Sequence, residues 1–149
     1  MSLPLPTHKH IPGQNARHPE DAFDWIRDQA ATEAGNAAWL YGLRLLREGF
    51  YWEAHEVLEP VWMAAAPNSA EKAIAQAVIQ LANAALKLDM GKPKAAVRLA
   101  GMVEALASDA ARGGKSVLDV EVAVVSNAAD SIKTGQPDLG GIGDHSSGT

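Results

Sequence analysis

The chain has no cysteine at all among its 149 residues. That excludes a disulfide framework, thiolate catalysis and every zinc site built on cysteine. It also lacks any apolar run of the roughly 18 residues that a membrane span requires. Lys and Arg are scattered, and the net charge is −5. Nucleic-acid binding needs a clustered basic face, so no nucleic-acid partner is expected. The first residues do not follow the basic-then-apolar order of a signal peptide, and the expected location is cytoplasmic, with no membrane partner. A last absence is local: nothing between Lys72 and Lys87 carries a charge.

What is present fits one soluble globular domain. Hydrophobic residues make up 47% and charged residues 21%, ordinary values for a chain that buries a core. The periodicity predicts an all-α protein, a compact bundle of five to six antiparallel helices. Residues 1–18 contain Pro4, Pro6 and Pro12 and read as an extended arm. Residues 19–134 form the helical domain, and 135–149, rich in Gly, Ser and Asp, read as a flexible tail.

Within the domain, Pro19-Glu20-Asp21 looks like a helix start, with Phe23, Ile26 and Ala30 as the apolar stripe. A second helix is expected over about 32–48 and ends at Gly49, and a third covers about 51–65. Ser69 is placed to cap a fourth, the uncharged helix, over about 70–90, which should be the most enclosed element. A fifth runs over about 93–111 with Val97, Leu99, Val103 and Leu106 inward. Residues 117–125 alternate apolar and polar, but Leu118, Val122, Val125, Ala129 and Ile132 suit a helix capped by Asp119, and helix is the expectation. Gly42, Gly49, Tyr51, Ala54 and Leu58 are spaced rather like tetratricopeptide hairpins. The simpler account is that antiparallel helices need small residues where they cross.

The residues with chemistry are concentrated in Tyr51–Trp62. His55 and Glu59 are four apart and share a helical face. Gln76, Gln80 and Asn83 share one face of the next helix. A short turn at Pro67 makes the two helices antiparallel, and counting from it sets Glu59 level with Gln76 and His55 level with Gln80. Enclosed polar groups need partners, so these must bond one another, water or a ligand. Three outcomes follow. The group can be a purely structural network that sets helix register, in a non-catalytic helical-hairpin scaffold module. It can be a pocket for a small polar ligand or a single divalent metal held by His55 and Glu59, alone or completed across a homodimer interface. Or Glu59 or Glu56 can act as a general base oriented by His55, in a hydrolase-like reaction. Trp62, seven after His55, suits a lid over the pocket, and Tyr51, four before it, can close the other end. Glu53 is expected in solvent, as is the His8-Lys9-His10 cluster. Pro60 is expected to disturb the third helix near Glu59.

The stretch Gly49-Phe50-Tyr51-Trp52-Glu53-Ala54-His55-Glu56-Val57-Leu58-Glu59 with Trp62, followed by Gln76 to Ala82, resembles the bacterial and archaeal family called domain of unknown function number 309. Its pattern is a Gly, an aromatic two residues on, then His, an acid, Glu and Trp, followed by a Gln-centred helix. His55, Glu56, Glu59, Trp62, Gln76 and Gln80 match it, while Pro60 departs from it. The resemblance covers about residues 33–111. It implies a compact helical bundle and no established reaction. Pro12-Gly13 and His18-Pro19 look like an extension found in some members, one that would fold His18 toward the pocket.

Overall fold

The computed structural model of the chain describes residues 3–144. Six helices follow one another: α1 (Asp24–Arg27), α2 (Ala37–Arg47), α3 (Tyr51–Ala64), α4 (Ala70–Asp89), α5 (Pro93–Ala110) and α6 (Val122–Lys133). A two-strand hairpin, β1 (Ser116–Val117) and β2 (Val120–Glu121), separates α5 from α6. The fold is all-helical, as the periodicity predicts. None of the described helices is long and apolar enough to cross a membrane.

Helix ends follow local chemistry. The Asn36 side chain accepts from the Trp39 N–H at 3.1 Å, and that cap starts α2 five residues later than the apolar spacing suggests. The expected cap of α4 is present, with Ser69 Oγ accepting from the Lys72 N–H at 3.0 Å. Gly49 and Gly91 lie just past α2 and α4 with φ of 88° and 74°, left-handed geometry that glycine adopts without strain. The first helix is shorter than expected, because the segment around it is built from i→i+3 turns such as Ala22 N–H to the Pro19 carbonyl.

The uncharged α4 is the central element, packing on α3, α5 and α6, with Ile74, Val78, Leu81 and Ala85 fully buried. Its largest interface is with α5. There the buried stripe is Ala96, Ala100, Val103, Ala107 and Ala110, not the expected Val97, Leu99 and Leu106. Val97 is exposed and the two leucines are half-buried. Alanines at the seam let the two helices approach closely, which leaves the larger side chains to flank the contact. The crossing of α2 and α3 works in the same way: a Cβ on Gly42 would collide with the Leu58 side chain. Small residues at a helix crossing account for the tetratricopeptide-like spacing here.

Two further expectations change. The N-cap position of α6 is Glu121 and not Asp119, which with Leu118 forms the hairpin turn, at φ of 59° and 51°. The Trp39 Nε1–H donates to the Leu118 carbonyl at 3.0 Å and holds the left-handed turn against the bundle. The alternation at 117–121 is therefore a hairpin, and the helical stripe begins only at Val122. Residues 135–144, expected to be a flexible tail, lie on the bundle: Leu139 and Ile142 are buried, and Arg47 donates to the Ile142 carbonyl at 2.9 Å. Residues 145–149 of that expectation lie outside the described residues.

Replacing Gly42 with Ala should destabilise the chain by about 1–3 kcal/mol through overpacking against Leu58. Urea denaturation checks this, with Gly101→Ala as the control, since nothing lies near a Cβ there.

Candidate functional site

The third helix continues through Pro60 to Ala64, so His55 and Glu59 stay one turn apart on one face. The His55 Nε2 lies 3.2 Å from Glu59 Oε2, and its Nδ1 lies 2.9 Å from Asn83 Oδ1. Asn83 Nδ2 in turn donates to Gln80 Oε1 at 3.1 Å. A ring with an oxygen at each nitrogen donates at both when doubly protonated, and the neutral ring is served when the Asn83 and Gln80 amides are reoriented together. The register differs slightly from the count along the chain: His55 reaches Asn83, one helical step beyond Gln80.

These side chains line a recess of about 150 Å³ together with Trp62, Gln76 and Ile79. The recess is a groove and not an enclosed pocket, since the His55 and Glu59 side chains remain 32% and 41% exposed. The Gln76 side-chain amide makes no hydrogen bond with the described residues. The Trp62 indole N–H is buried and has no partner among them, while the Lys72 ammonium sits 4.4 Å from the centre of its ring. Among the described residues no three His, Asp or Glu side chains converge as a metal centre requires.

Three of the candidate residues lie elsewhere. Tyr51 does not line the recess. Burial, helped by the Asp89 charge, raises its phenol above the usual range and keeps it neutral. Glu56 pairs with Arg27 at 3.0 Å and faces a separate cleft of about 710 Å³, between α3 and the segment 17–24. His18 does not reach the recess either. Its Nε2 lies 2.6 Å from Glu53 Oε2 on another side of α3.

Glu53 is the residue the sequence reading missed. Expected in solvent, it is fully buried, and the same Oε2 accepts from the His10 backbone N–H at 2.7 Å. Helical spacing identifies the side of α3 on which Glu53 lies, two residues and roughly 200° from His55, but not what covers that side. The arm covers it. His10 is itself buried, edge-on to Trp52 at 4.9 Å, and His8 stacks on His18 at 4.2 Å. The arm histidines expected in solvent are therefore packing residues. The only early signal was the pairing of an acid in Tyr51–Trp62 with an upstream histidine-rich arm.

The family described as domain of unknown function (DUF309) matches residues 39–99. The DUF309 match covers 61 of the 149 residues. No curated protein and no solved structure matches the chain. The matched stretch spans α2, α3, α4 and the start of α5. It contains the whole recess and Glu53, while His10 and His18, which meet Glu53, lie outside it.

Removing the Glu53 carboxylate leaves the His10 N–H and the His18 ring without their acceptor, so Glu53→Ala should cost about 1–3 kcal/mol for each of these donors. Glu56→Ala, which breaks a half-exposed pair, should cost under about 1 kcal/mol. Guanidinium denaturation of the two variants side by side measures the difference.

Proposed function

We propose that this chain binds a small polar ligand, of carboxylic acid or carboxamide type, in the recess between α3 and α4. One observation carries this reading: His55, Glu59, Gln76, Gln80, Asn83 and Trp62 line one solvent-open recess, with the Gln76 amide and the Trp62 indole N–H unspent. Unspent donors beside a histidine favour a ligand that brings acceptor oxygens. The volume limits it to a few heavy atoms.

Metal binding is supported less well. His55 and Glu59 supply two donors, both ring nitrogens of His55 already face oxygens, and further ligands would have to be carboxamides or water. A hydrolytic role loses one of its two candidate bases, because Glu56 is held by Arg27 in the other cleft. The second reading is a structural network in a scaffold module. It is supported by the continuous chain Gln80–Asn83–His55–Glu59, which bridges α4 and α3 without a ligand.

Thermal-shift screening against small carboxylic acids, amides and divalent cations separates the readings. At a ligand concentration a hundredfold above Kd, stabilisation is about 2.7 kcal/mol, and Tm rises by about 5–10 °C. The rise should vanish in His55→Ala and in Gln76→Ala. If no compound shifts the wild type while His55→Ala alone melts earlier, the network is structural and the binding reading fails.

A further inference from the structure

A second surface lies where the arm crosses α2, away from the recess. Pro4 and Pro6 fix their own φ near −65° and keep Leu3 and Leu5 out of helical geometry, so the stretch is non-helical and leaves its carbonyls free of intrahelical bonds. Two donors on α2, three residues apart, meet those carbonyls. The Tyr41 hydroxyl donates to Pro4 and Arg44 Nη1 donates to Leu3, each at 2.6 Å. Burial pushes the Tyr41 phenol up, with Arg44 opposing and Glu53 adding to the shift, so it remains a donor. Tyr41 packs edge-on to Trp25 at 5.3 Å. Pro4, Leu5 and Pro6 on one side and Phe23, Trp25 and Tyr41 on the other enclose about 260 Å³.

Aromatic walls, with donors that read backbone carbonyls, form the chemistry that recognises proline-rich extended segments. Neither donor reads a side chain of the arm, so these two hydrogen bonds select an extended backbone, and the prolines matter through the conformation they hold and the aromatic wall they face. The resident segment is also only loosely covered, with Leu3 and Leu5 at 40% and 37% exposure. A further depression of about 430 Å³, lined by Leu3, Leu40, Arg44 and Arg47 among others, continues along α2. A longer segment would find additional contacts there.

We propose that the Trp25–Tyr41–Arg44 groove is a docking site for Pro-x-Pro segments of a partner protein, and that Leu3–Pro6 is its tethered resident ligand. The partner is an extended chain with alternate prolines, and it displaces the arm from this groove while His10 and His18 stay on Glu53.

A fluorescein-labelled peptide with the sequence of residues 3–11 serves as the probe, titrated into the full chain by fluorescence polarisation. The tether holds the resident segment at an effective concentration on the millimolar scale, so wild type should bind the probe weakly. The full chain carrying Pro4→Ala and Pro6→Ala should bind it about tenfold more tightly or better. Adding Trp25→Ala or Tyr41→Phe to that chain should remove at least about tenfold of that affinity. Trp25 is 42% exposed and its loss is tolerated by the fold, which circular dichroism checks. A probe with both prolines replaced by alanine should not bind. Equal affinity in wild type and the proline-free chain, binding indifferent to Trp25 and Tyr41, or no binding to either chain would overturn the proposal.

Discussion

A carboxylate buried completely on α3 sets the conditions for much of this structure. Glu53 stays inside only because an imidazole and a backbone N–H reach one of its oxygens at 2.6 and 2.7 Å. Both donors come from the arm, so the arm must lie across α3, and its His10 and His18 rings then pack with Trp52 and Phe23. Burying a charge is tolerable when such donors are fixed and costly when they are not. The ordered course of residues 8–18 and the burial of Glu53 are therefore the same fact seen from two sides.

That arrangement gives α3 two polar faces with different fates. On one, a single acid is sealed beneath the arm. On the other, His55 and Glu59 face α4 across a groove that stays open to water, in contact with the carboxamides of an otherwise apolar helix. Candidate residues only a few positions apart thus part company: His55 and Glu59 share a recess, Glu56 turns to Arg27, and the Tyr51 phenol is half-buried away from that recess. The course of the arm also brings Leu3–Pro6 to Tyr41 and Arg44, so a packing requirement at Glu53 has a consequence on α2.

Much of the bundle was legible in advance because its determinants are local. The uncharged span between Lys72 and Lys87 became the central helix, Ser69 caps it, and the His55–Glu59 spacing survived Pro60 because α3 runs through the proline. The errors came where the deciding contact is distant in sequence. The hairpin turn at Leu118-Asp119 depends on the Trp39 indole, seventy-nine residues from Leu118. The inward face of α5 is set by how closely alanines let it approach α4, and the order of residues 135–144 by the bond from Arg47 to Ile142.

The amino-acid order alone determined helix number, most helix ends, the buried character of α4 and the sharing of one face by His55 and Glu59, because periodicity, capping and charge spacing act within a few residues. Only tertiary structure decided that Glu53 is internal, that His18 serves it and not His55, and that the polar row on α3 and α4 stays half open. Those outcomes depend on which distant segment covers a face, and no pattern within one helix encodes its cover.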